Sequence, residues 1–171
     1  LIANTDWVIT DNPTSLVEYP GAVTTDEGAV IIPTGGGLPL IASNQIAIVE
    51  PQLQFAPLAR EMRIKSDSGS SEFIPILEAD FLQEFIEYDD ANLESHVSKH
   101  AMESQYVRID YSLSSAAYVQ LSYSYYPYLR VMIDGVEVRK FPTAFGLIGI
   151  VAPEGSHVIE IEPYLSPLRQ V

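Results

Sequence analysis

The side chains in this sequence that could do chemistry are a histidine pair, a crowd of tyrosines and a scatter of carboxylates. His96 and His100 stand four apart. On a helix that spacing puts both imidazoles on one face, where Glu94 or Glu103 would complete a three-ligand zinc site. The stretch that carries them, Asp89 to Glu103, is polar and weakly patterned, so it reads as a solvated loop and no metal is expected there. Tyrosines occur at positions 118, 123, 125, 126 and 128. Aromatic faces stack on the C–H surfaces of pyranose rings, and tyrosine adds a hydroxyl, so such a cluster is chemically suited to a glycan. Tyr123 and Tyr125 alternate with Val119 and Leu121 and are expected in the core. Tyr126 and Tyr128 fall off that face, flank Pro127, and are the expected ligand contacts. His157 follows Pro153-Glu154-Gly155 and is expected to order that turn rather than to react.

The carboxylates are less informative. Glu78, Asp80, Glu84, Glu87, Asp89 and Asp90 could hold Ca²⁺, but none follows the spaced Asp/Asn loop of an EF-hand, and a solvated acidic face is expected instead. Paired carboxylates for glycoside hydrolysis must face each other across a cleft, and among 23 Asp and Glu no pair stands out. Thr34-Gly35-Gly36-Gly37 lacks the Lys-Ser/Thr of a phosphate loop and reads as a connector. No Gly-x-Ser-x-Gly turn exposes a serine, and without cysteine there is no thiolate chemistry, disulfide or Cys-based zinc site. The residues therefore predict no catalytic centre, no metal and no cofactor.

The elements that must position these side chains are strands. Short β-branched runs (Trp7 to Thr10, Ala29 to Ile32, Leu38 to Ile41, Gln45 to Val49) end at turn clusters or prolines. Arg60 to Lys65 reads as a further strand and Ser66 to Ser71 as a polar loop. Phe81, Leu82, Phe85 and Ile86 fall at helical spacing, although the same stretch suits two strands with an irregular join. From Tyr106 the alternation sharpens into about five antiparallel strands. Asp134-Gly135, between Leu129–Ile133 and Val136–Arg139, predicts a two-residue hairpin turn. Period-two alternation puts Val107, Ile109, Val119, Leu121, Val131, Ile133, Ile159 and Ile161 on one buried face, with Gln120, Ser122 and Ser124 on the wetted side. The predicted fold is an all-β, antiparallel, jelly-roll-like sandwich with at most one or two short helices. It is one domain over residues 1–171, with 1–54 as N-terminal strands or a small annex, 55–105 as an acidic, irregular middle, and 106–171 as the antiparallel core.

At 171 residues and 47% hydrophobic the chain has the material for a core without staples. Its net charge is −14, spread as −5 over residues 1–60, −8 over 61–105 and −1 over 106–171. Such a surface repels phosphate backbones and anionic headgroups, which argues against nucleic acid as a partner. The longest apolar run, Ala144 to Ala152, is broken by two glycines and is far short of the ~20 residues that cross a bilayer as a helix. A chain beginning with Leu1 is expected to be a piece of something longer.

Three segments carry a family resemblance: Tyr118 to Pro127, Val131 to Val138 with its Val-x-x-Asp134-Gly135 hairpin, and Gly149 to Glu162 with Pro153-Glu-Gly155-Ser-His157. Together they resemble the tail of YfhO-like bacterial membrane proteins, which are polytopic and of the GT-C glycosyltransferase type. Asp6 to Asp11, Gly28 to Ile32 and Gly37 to Leu40 resemble earlier parts of the same region, and residues 55–105 are unmatched. Tyr128-Leu129 stands where the family has Gly-Trp. The resemblance implies an extracytoplasmic, galactose-binding-like jelly roll tethered to a membrane-embedded body that does the catalysis. The expected role is then a non-catalytic appendage of a membrane-bound, glycosyltransferase-like protein, with the rest of that protein and a glycan as partners. Two alternatives stay open: a carbohydrate-binding module or accessory domain of a secreted glycoside hydrolase, and a structural subunit of an extracellular assembly built through strand edges. Upstream transmembrane helices in the full reading frame would favour the first, an upstream catalytic domain the second, and a naturally free product the third.

Overall fold

The computed structural model describes residues 7–10, 23–24, 30–33, 38–49, 69–77, 93–103 and 106–164. The chain divides into two compact units, Leu1–Leu38 and Pro39–Val171. In the first, β1 (Trp7–Thr10), β2 (Val23–Thr24) and β3 (Val30–Pro33) form an antiparallel sheet with β3 in the middle. In the second, the strands are β4 (Leu40–Ser43), β5 (Ile46–Ile48), β6 (Ile74–Ile76), β7 (Ser95–Glu103), β8 (Tyr106–Leu113), β9 (Ala117–Ser124), β10 (Leu129–Ile133), β11 (Val136–Val138), β12 (Lys140–Pro142), β13 (Leu147–Ala152) and β14 (Gly155–Pro163). No helix occurs among the described residues, so none there is long and apolar enough to cross a membrane.

In the second unit β5 and β6 pair in parallel as a two-stranded sheet, and two antiparallel sheets, ordered β11-β10-β14-β8-β7 and β12-β13-β9-β4, make up most of the rest. The chain crosses between them after β8, β9, β11 and β13, the to-and-fro path of a jelly roll, and the fold is the all-β sandwich that alternation predicts. Buried between the sheets are Val107, Ile109, Tyr111 and Leu113 of β8, Val119 and Leu121 of β9, Val131 and Ile133 of β10, and Ile159 and Ile161 of β14. Leu40 and Ala42 of β4 and Ile148 and Ile150 of β13 complete this layer. All eight residues expected on the inner face are in it.

Several expectations need correction. The predicted core of 106–171 reaches back to Leu40 and to Ser95, because β4 pairs with β9 and β7 with β8. The division between the two compact units lies at Leu38/Pro39. Residues 95–103 are a nine-residue edge strand, not a solvated loop. The strand that leaves the Asp134-Gly135 turn ends at Val138, one residue short of Arg139, where the chain changes sheets between β11 and β12. The polar side of β9 is also not wetted: Gln120 and Ser122 are buried. There β6 lies against β9 and brings in the buried Ile74 and Ile76, its Pro75 carbonyl accepting from the Ala144 N–H at 2.8 Å. The helix or irregular join at 81–87, the strand at 60–65, the Thr34–Gly37 connector and the carboxylates from Glu78 to Asp90 lie outside the described residues.

The Asp134-Gly135 turn has the conformation its sequence demands. Asp134 sits at φ 51° and Gly135 at φ 78°, both in the left-handed region that a type I′ turn requires. Nothing lies within 4 Å of a Cβ added at Gly135, so the cost of a substitution there is chiefly that of the backbone conformation. Gly135→Val is expected to destabilise by about 1–2 kcal/mol. Urea denaturation checks this, and an unchanged midpoint would contradict it.

Candidate ligand-binding site

The end of the sandwich where β9 runs into β10 gathers most of the tyrosines. Tyr123 and Tyr125 continue the inner face of β9 and pack, half-buried, on the core. The register of β9 on β13 shifts between Leu147 and Ile148: Ile148 is opposite Leu121 but Leu147 is opposite Ser124, so Ser122 and Tyr123 of β9 are extra residues at a bulge. The Tyr125 N–H donates to the Gly146 carbonyl at 2.7 Å, fixing where β9 ends. The chain then turns at Pro127, and the Leu129 N–H donates back to the Tyr126 carbonyl at 3.1 Å as β10 begins.

Because β10 starts with Leu129 packed on the core, Tyr126 and Tyr128 are thrown outward. Each is 55% exposed, with ring centroids 5.4 Å apart and planes inclined at 58°. This is a shallow, tilted aromatic pair on a turn anchored at both ends. Lys140 braces it from below: its Nζ donates to the Pro127 carbonyl at 3.2 Å and stands 5.2 Å from the Tyr125 ring centroid. Burial lowers the Lys140 pKa from its ordinary value, while the Glu137 charge acts in the opposite direction.

His100 belongs to a different arrangement from the one its spacing suggests. A register shift between Val97 and Lys99 breaks the alternation of β7, so His96 pairs with Ser112 on the outer side and His100 with Ile109 on the inner side. The two imidazoles therefore lie on opposite faces of a strand. His100 Nε2 and the Tyr123 hydroxyl share a hydrogen bond of 2.5 Å between the sheets, with the rings edge to face. Burial lowers the pKa of His100. Glu94 and Glu103 are exposed, and among the described residues no group of three His, Asp or Glu is placed to hold a metal ion.

At the opposite end of β10, His157 fastens two turns together. Its Nδ1 meets Asp134 Oδ2 at 2.5 Å and its Nε2 meets the Glu154 carbonyl at 2.8 Å. An ionised carboxylate and a carbonyl only accept, so both ring nitrogens must carry hydrogen and the imidazolium is the form that fits. Asp134 Oδ1 also accepts from the Val158 N–H at 2.9 Å. The turn-ordering role expected for His157 is what this geometry provides.

A pH dependence follows from the pair. The bond to Asp134, then that to Glu154, raises the His157 pKa above its ordinary 6.5. The folded chain thus holds this proton more tightly than the unfolded one, and the stabilisation is complete below about pH 6.5 and lost as pH rises through the raised value. The bond to His157, then that from Val158, lowers the Asp134 pKa below its ordinary 3.8. That contribution is complete above about pH 3.8 and lost as pH falls through the lowered value. The pair therefore stabilises most between about pH 4 and 6.5. With half of the Asp134 side chain exposed, solvent screening holds the effect to about 0.5–1 kcal/mol. His157→Gln should lower Tm more at pH 5.5 than at pH 9. Equal losses at the two pH values would contradict the linkage.

Comparison with protein-family models, with curated proteins and with solved structures found no match.

Proposed function

We propose that this chain is a non-catalytic, extracytoplasmic β-sandwich module of a larger membrane-bound, glycosyltransferase-like protein, and that it binds a glycan at the Pro127 turn. The glycan reading rests on one observation, the exposed and mutually tilted Tyr126–Tyr128 pair on a turn held by the sandwich. Exposed rings on a braced turn offer stacking surface without first having to be ordered. The membrane-bound carrier and the extracytoplasmic location rest on the resemblance of residues 118–162 to the tail of YfhO-like proteins. With a net charge of −14, the chain favours a neutral or cationic glycan over a phosphorylated one.

The platform is open rather than a cleft, so the affinity is expected to be weak, nearer ~1 mM than ~1 μM in Kd. Removing one stacking ring should weaken binding by about 3–10-fold. Titration of wild type, Tyr126→Ala and Tyr128→Ala with neutral oligosaccharides, followed by NMR, tests this. Unchanged affinity in both variants would remove the tyrosines from the site.

A further inference from the structure

Tyr164 lies outside the tyrosine-rich segment, yet the strand register carries it to the same place. In the β10–β14 pairing Leu129 is opposite Pro163, and one step further Tyr128 comes opposite Tyr164. The bond from the Tyr164 N–H to the Tyr128 carbonyl, at 2.6 Å, shows that the pairing continues to that step. Residues directly opposite in an antiparallel pair project to the same side with Cβ atoms about 5 Å apart. Leu129 packs on the core, so Tyr128 and Tyr164 leave the other face. Tyr164 is 45% exposed, as an outward-facing ring at this rim should be. One pleat along that face, Arg130 and Glu162 are paired with each other and border the rings with a donor and an acceptor for hydroxyl groups.

We infer that Tyr164 is a third stacking residue of the site, and that the ligand is therefore an oligosaccharide rather than a single sugar. This rests on the glycan reading of the Tyr126–Tyr128 pair and deepens it. Tyr126 and Tyr128 grip one ring of the ligand. Tyr164, carried by the neighbouring strand, offers a separate surface to a second ring, so affinity grows with chain length.

The test compares glucose with cellotriose and triacetylchitotriose against wild type, Tyr164→Ala and Tyr164→Phe, using NMR titration and checking each fold by its amide spectrum. A trisaccharide should bind wild type about 3–10-fold more tightly than glucose. Tyr164→Ala should reduce that ratio to about one, and Tyr164→Phe, which keeps the ring, should retain it. Binding that does not depend on length, or a ratio untouched by Tyr164→Ala, overturns the third position but leaves the Tyr126–Tyr128 reading standing. Failure of all three sugars to bind overturns both.

Discussion

Ile159→Ala is expected to lower stability by about 3–4 kcal/mol, a large share of the roughly 5–15 kcal/mol that keeps a domain folded. Ile159 is fully buried on β14, the central strand of the five-stranded sheet, opposite Ile109 of β8 and Ile133 of β10. Truncation removes three carbons from a layer with buried isoleucines on both sides, and the paired backbones prevent the neighbours from closing the gap. Loss of transfer energy and creation of a cavity therefore add. Val136→Ala, on the edge strand β11 and 67% exposed, is the control and should stay within about 0.5 kcal/mol. Urea midpoints measure both. A loss of under about 1 kcal/mol for Ile159→Ala would mean that the two sheets do not pack as described.

Gly149→Ala is the second large effect, and it works in the opposite sense, by overfilling. A Cβ at Gly149 would stand 2.2 Å from the nearest atom of the Phe141 ring, far inside contact distance. Phe141 is opposite Gly149 in the β12–β13 pairing and lays its ring across it on the outer side of the four-stranded sheet. The ring is itself buried and cannot swing into solvent. A single methyl group should cost about 2–3 kcal/mol. Phe141→Leu in the same chain should return part of that loss, because the two residues compete for one volume. Additive losses in the double variant would show that the strain arises elsewhere.

The sandwich was legible because its inner face obeys a strict period of two. Val107, Ile109 and Ile161 alternate with polar neighbours, and Val119, Leu121, Val131, Ile133 and Ile159 keep the same period in neighbouring strands. Asp134-Gly135 was equally plain, since few dipeptides tolerate two positive φ angles. β7 was hidden by its own irregularity. The shift between Val97 and Lys99 spoils the alternation, and as an edge strand with one half-covered face it carries His96, Lys99, His100 and Glu103, which in isolation look like loop. Burial of Gln120 was illegible for a different reason: what covers β9 comes from β6, far away in sequence. At the candidate site, the outward placement of Tyr126 and Tyr128 followed from local alternation. Tyr164 did not, because only the β10–β14 register brings it to Tyr128. The final alternating strand, paired in thought with Leu129–Ile133, was the one signal that could have found it.

Glycan binding at the Pro127 end is read out by mapping amide shift changes during titration of the labelled chain with cellotriose. Five residues of β10, roughly 17 Å of strand, separate that end from the Asp134–His157 latch, so the two are easily told apart. Changes are expected at residues 126–130 and 162–164, with the latch unmoved. Changes centred on Asp134 and His157 or on the edge strand β7, or no change at saturating sugar, would contradict binding there.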